Sequence, residues 1–166
     1  MKKLKGFTLI ELIVVIGIVS LFTEIFIARY NENTGRLRLR SEAKKLIDVL
    51  ELAKKKALSA DLIPTPGTPK KTFCTDFSGY RVAIASGSYS LLFGCSLVYS
   101  PVQNYNLTTN ITVTTGTGNY NFSPLMINPS FISNTIRLRN SSISKCVNIS
   151  ISAIGIVELN ETLINC

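Results

Sequence analysis

Apolar side chains follow three different patterns along this chain. Residues 7–28 are almost wholly apolar, interrupted only by Thr8, Glu11, Ser20, Thr23 and Glu24. A helix rises about 1.5 Å per residue, so this run reaches about 33 Å, enough to cross a bilayer's hydrocarbon core. It predicts a membrane-embedded helix. After a stretch of poor helix formers at Asn31, Asn33 and Gly35 the pattern changes. Leu39, Ala43, Leu46, Ile47, Leu50, Ala53 and Ala57 recur at steps of three and four, with Lys44, Lys45, Asp48, Glu51 and Lys55 on the other face. That is an amphipathic helix, and Glu51 and Lys55 are spaced for an i,i+4 ion pair. The two patterns together predict one helix from residue 7 to about residue 60, weakest at 30–35, whose second half docks on a sheet.

Pro64, Pro66 and Pro69 should end that helix in a loop over 62–72, because proline removes backbone donors and blocks helical continuation. From Phe73 onward the pattern alternates. Runs at 80–84 and 89–93 flank Ser86-Gly87-Ser88 and predict a hairpin; 110–115, 132–139 and 147–152 predict further strands. A turn at 153–155 should lead to a last strand at 156–159, while the Asn/Thr/Gly-rich residues 104–121 stay unassigned. One helix followed by five to seven strands cannot form βαβ units. The expected fold is α+β, a long N-terminal helix packed on a C-terminal antiparallel sheet. The segments are then a basic tip at 1–6, a membrane helix at 7–28, an amphipathic half-helix at 29–61, the loop, and a β domain at 73–166.

With 166 residues, the chain suits one domain and an anchor. Lys2, Lys3 and Lys5 precede the apolar run and should stay cytoplasmic, which places everything after residue 28 outside. Cys74, Cys95, Cys146 and Cys166 fit that oxidising compartment as two disulfides. Three pairings are open; the neighbouring one, Cys74–Cys95 with Cys146–Cys166, is favoured because each bond closes a loop of about twenty residues, worth about 3 kcal/mol. A zinc site would need a C-x-x-C pair or histidines, and the chain has neither, so no metal is expected.

The net charge of +8 raises the question of nucleic acid. From Thr72 onward, however, four basic residues face three acidic ones, so the charge belongs to the tip, the helix and the loop. Arg36, Arg38, Arg40, Lys54, Lys55 and Lys56 are the candidate phosphate contacts, and such binding would be salt-sensitive. Alternate arginines on a helix point to different sides, so they form no single stripe; a solvated face is the competing reading. The chain has no histidine, so it offers no Ser-His-Asp arrangement, and phosphate-loop and dinucleotide fingerprints are missing. Neither an enzyme nor a cofactor is expected. Triplets such as Asn106-Leu107-Thr108 follow from the Asn/Ser/Thr content.

Glu11 remains, a carboxylate at the fifth position of an apolar run. At a bilayer centre it costs about 2.5–3.5 kcal/mol or more, so it requires a partner. Its setting, Lys5-Gly6-Phe7-Thr8-Leu9-Ile10-Glu11-Leu12, strongly resembles the class III leader junction of type IV pilins and type II secretion pseudopilins. Residues 52–58, Phe73-Cys74 and the final hairpin at 149–158 also look like the GspH/FimT-type minor pilin branch. The resemblance implies cleavage by a prepilin peptidase between Gly6 and Phe7, N-methylation of Phe7, and a meeting of Glu11 with the Phe7 amine of a neighbouring subunit. It implies a structural subunit that sits as a single pass in the inner membrane. An assembly platform there would build it, with other pilin subunits, into a pilus or periplasmic pseudopilus. Two features depart from the pattern: no proline lies between Phe7 and Ile63, and Glu24 is a second carboxylate in the run. Two alternatives stand beside this reading. One is a DNA-binding minor pilin for uptake in natural transformation. The other is an anchored extracytoplasmic domain that never polymerises and keeps residues 1–6.

Overall fold

The computed structural model describes residues 8–62, 74, 76–124 and 130–166, without the side chains of 24–28. One helix, α1, runs Leu9–Leu58. The polar stretch at 30–35 stays helical within it: a glycine costs about 1 kcal/mol relative to alanine, little against the cooperativity of long flanking helix. The chain divides into two compact units, Met1–Gly35 and Arg36–Cys166, so the same stretch marks the boundary between them.

The helix ends before the prolines, by a device the sequence reading missed. Ala60 adopts φ +49°, its amide donates to the Ala57 carbonyl (3.2 Å), and the Asp61 amide donates to the Lys56 carbonyl (3.0 Å). These are the two bonds of a Schellman motif, with alanine where glycine is usual. Tyr80 adds a hydroxyl bond to the Asp61 carbonyl (2.8 Å), and Lys56 pairs with the Asp61 carboxylate (2.6 Å). The proline-rich loop lies outside the described residues.

Among the described residues of Arg36–Cys166, nine strands form two antiparallel sheets rather than the single sheet expected. The first sheet holds β1 (Phe77–Ile84), β2 (Ser88–Cys95), β3 (Val98–Asn106), β5 (Gly118–Phe122) and β6 (Ser130–Phe131), in the order β3-β2-β1-β5-β6. The second holds β4 (Ile111–Thr115), β7 (Thr135–Asn140), β8 (Lys145–Ile151) and β9 (Val157–Asn165), in the order β4-β7-β8-β9. The expected hairpin is β1–β2, with Tyr80 opposite Phe93 and Ile84 opposite Tyr89. The run at 132–139 is split, because residues 132–134 leave β6 for the other sheet before β7 begins. β9 extends well beyond 159. β3 carries Pro101 and went unpredicted; it is an edge strand with a bulge beside the proline, the setting that tolerates a missing donor. At Gly79 the first sheet needs glycine, since φ is +98° and a Cβ would meet the Phe122 carbonyl.

One core joins the helix face to both sheets. Leu39, Ala43, Leu46, Val49, Leu50, Ala53 and Ala57 are buried with Val82, Leu91 and Phe93 of the first sheet and Val113, Leu138, Val147 and Ile149 of the second. Val49 replaces the expected Ile47, which is only partly buried. Glu51 pairs loosely with Lys54 (3.9 Å) instead of Lys55. The buried carboxylate of Glu42 is satisfied by Lys45 (2.9 Å) and the Thr108 hydroxyl (2.7 Å), which tie the helix to the loop before β4.

Cys74 is bonded to Cys95 and Cys146 to Cys166, the neighbouring pairing, with 5.7 Å between Cα atoms in each. The second bond fastens the chain's last residue to β8. Replacing Cys146 and Cys166 by serine is expected to cost about 3 kcal/mol, read as a lower denaturation midpoint of the full chain. Burial makes the Tyr89 and Tyr120 hydroxyls harder to ionise, raising each to about 12. An unfolded tyrosine ionises near about 10, so the stability that these neutral hydroxyls confer is complete below that pH and is lost as pH rises towards about 12. A pH series of denaturation midpoints should therefore fall across that alkaline window.

Candidate functional site

The N-terminal stretch of α1 carries large apolar side chains on every side. Exposure runs from 50% at Ile18 to 77% at Leu9, with Leu12, Ile13, Val14, Val15, Ile16, Val19, Leu21 and Phe22 between. A helix that is apolar all round belongs in lipid or in a protein core. Its polar groups fit such surroundings. Ser20 donates to the Ile16 carbonyl (2.8 Å) and Thr23 to the Val19 carbonyl (2.7 Å), so neither hydroxyl needs water. The described side chains of this stretch end at Thr23. Among the described residues, no helix is long and apolar enough to cross a membrane.

At the start of the helix, Thr8 and Glu11 form a reciprocal pair. The Thr8 amide (2.9 Å) and hydroxyl (2.8 Å) both donate to Glu11 Oε2, and the Glu11 amide approaches Thr8 Oγ1 at 3.4 Å. This is a capping box, in which a first-turn carboxylate and an N-cap hydroxyl satisfy each other's backbone donors. Sequence reasoning missed Thr8, although Thr-x-x-Glu ahead of an apolar run is the signal for it. The box turns the carboxylate back towards the chain's beginning. Glu11 Oε1 has no partner among the described residues, and Glu11 lines an open cleft of about 360 Å³ with Ile10, Val14 and Val15. Gly6, Phe7 and the side chain of Glu24 lie outside the described residues.

The six basic candidates are not brought together. Arg40 donates to the Glu161 carbonyl (3.2 Å), Lys54 faces Glu51, and Lys56 pairs with Asp61 while standing over the Tyr80 ring at 5.6 Å. Arg36 is partly buried, and Arg38 and Lys55 are exposed. Those last two stand about 25 Å apart along the helix. Among the described residues, no cluster of acidic or sulfur side chains could hold a metal ion.

Residues 1–23 match the family profile described as the prokaryotic N-terminal methylation motif. That motif supports a prepilin-type N-terminus of the type IV pilin and pseudopilin kind. Its fold agrees, with an N-terminal helix packed on antiparallel sheets. The pilin-type motif spans the basic tip, the Gly6-Phe7 junction, the capping box and the apolar stretch up to Thr23. The pilin family is one of structural subunits. No curated protein and no solved structure matches the chain.

Proposed function

We propose that the chain is a filament subunit of a type IV pilus or a secretion pseudopilus. It is cut between Gly6 and Phe7, methylated on the Phe7 amine, held as a single pass in the inner membrane, and assembled through α1. The observation that carries this reading is the helix surface. Apolar side chains from Leu9 to Phe22 are exposed all round, and a lone carboxylate among them is capped by Thr8. In a bundle of neighbouring helices that surface is covered, which supplies the driving force, at about 25 cal/mol per Å² buried.

The carboxylate sets register. Thr8 holds Oε2, which leaves Oε1 for the amine of a neighbouring Phe7. An amine and a carboxylate away from water attract strongly, and a subunit without its neighbour keeps an uncompensated charge. No catalytic step and no cofactor enters this role. Its partners are other pilin subunits, the prepilin peptidase and the assembly platform. The experiment is expression of the full chain with those components, followed by mechanical shearing of the cells. The chain should appear in the sheared fibres; retention in the membrane fraction alone would instead favour a domain that is anchored and never polymerises.

A further inference from the structure

The chain holds six Asn-x-Ser/Thr triplets, beginning at Asn106, Asn110, Asn121, Asn140, Asn148 and Asn160. Composition explains their number, but their settings differ. Such a triplet accepts an N-linked glycan where it lies on an exposed segment, with its asparagine and hydroxyl both within reach. Five of the settings are closed. Asn121 and Asn148 hold arginines, their Oδ1 atoms accepting from Arg81 Nε (2.6 Å) and Arg137 Nε (3.0 Å). Asn140 is buried. The Thr108 hydroxyl that follows Asn106 is given to the buried Glu42 carboxylate (2.7 Å). Asn110 is left-handed, at φ +69°, and Ile111 beside it is buried, which fixes that triplet to the core.

Asn160-Glu161-Thr162 is open. All three residues are exposed, and they lie in β9, an edge strand of the second sheet. The register breaks there. Asn160 stands opposite Asn148 and Ile164 opposite Cys146, which leaves Glu161, Thr162 and Leu163 facing Val147 alone. That surplus is a bulge, a device that re-aims side chains at a sheet edge. Arg40 of α1 steadies it through the Glu161 carbonyl (3.2 Å). Within the bulge the Thr162 amide donates to Asn160 Oδ1 (3.1 Å), an Asx turn that leaves Nδ2 without a partner among the described residues. Glu158 adds a charge. It is exposed and lies two residues ahead, on the same face of the strand and about 7 Å away. None of the other five triplets has a carboxylate at that offset.

We propose that Asn160 is an N-glycosylation site, the acceptor for an oligosaccharide carried on polyprenyl pyrophosphate. Asn160 Nδ2 forms a bond to the anomeric carbon of the first sugar. The bond from that carbon to the pyrophosphate oxygen breaks, polyprenyl pyrophosphate leaves, and one Nδ2 proton passes to a base of the transferase. Glu158 gives a cationic side chain of the transferase a charged hold, and the free edge of β9 gives its backbone another. A glycan there also covers an edge strand that could otherwise pair with another chain. The inference goes beyond the proposed function and rests only on its placement of the β domain outside the cytoplasm.

The test expresses the full chain in cells that supply an oligosaccharyltransferase and a polyprenyl-pyrophosphate-linked oligosaccharide of known mass. Intact mass should rise by one oligosaccharide, and peptide mapping should place it on Asn160 rather than Asn148. Asn160→Gln and Thr162→Ala should abolish the addition with an unchanged thermal midpoint, while Thr162→Ser should keep it. Glu158→Gln should lower occupancy by about tenfold, the scale of one lost charge contact. A glycan that persists in Asn160→Gln, or one found only at another triplet, would overturn the inference. Alkylation of free thiols reports the compartment separately. Oxidised cysteines on an unmodified chain sink the glycosylation and spare the filament reading. Cysteines that stay open to alkylation show a domain left in the cytoplasm, and sink both.

Discussion

Glu11→Ala is expected to vanish from sheared fibres while cleavage after Gly6 continues. The variant leaves a neighbour's Phe7 amine without its counter-charge in an apolar bundle. Breaking a buried pair in this way costs about 3–5 kcal/mol, so assembly should fall by about a hundredfold or more. Glu11→Gln separates the two uses of this side chain. An amide oxygen can still accept the Thr8 bonds seen at 2.9 and 2.8 Å, so the cap survives, but the charge is gone. If register depends on charge, Glu11→Gln fails as completely as Glu11→Ala. Thr8→Ala is the complementary control: losing an N-cap costs about 1 kcal/mol, so assembly should weaken and persist. Recoveries of all three variants are read by immunoblot of sheared and membrane fractions. Normal recovery of Glu11→Gln would reduce the carboxylate to a helix cap.

Phe93→Ala should have the largest effect on the β domain. Phe93 packs against Tyr80 edge-on at 5.5 Å and against Phe77 at 5.6 Å, and it is fully buried beneath the helix. Truncating a buried phenylalanine leaves a cavity and costs about 3–5 kcal/mol. At about 2–4 °C per kcal/mol for a chain of this size, the melting temperature should fall by roughly 10 °C. Circular dichroism of the detergent-solubilised full chain measures this. The apolar stretch that carries the Gly6-Phe7 junction belongs to the separate unit Met1–Gly35, so cleavage after Gly6 should be unaffected. A fall of only a degree or two would mean that these aromatic rings are not the centre of the core.

What the sequence revealed followed the strength of its periodicity. Leu39 to Ala57 gave the buried helix face because steps of three and four persist over five turns, and the Tyr80–Ile84 and Tyr89–Phe93 runs gave the first hairpin because they alternate cleanly. Two sheets were hidden. The chain crosses between them at residues 107–110 and again between β4 and β5, where Asn, Thr and Gly carry no apolar rhythm. β3 was obscured by Pro101, which signals a break everywhere except on an edge. The helix end was assigned to prolines because Ala60 gives no sign of a left-handed conformation. At the candidate site, Glu11 stood out as a charge in an apolar run. Its partner Thr8 looked like an ordinary interruption until the geometry of the first turn showed it capping the helix.

The central claim is that residues 1–6 are removed and the new Phe7 amine is put to use opposite Glu11. Intact-mass analysis of the chain recovered from cells with a prepilin peptidase tests it most directly. The account predicts a mass lower by residues 1–6 and higher by one methyl group, on a chain found in sheared fibres. A chain that still begins with Met1, unmethylated and confined to the membrane, would contradict it.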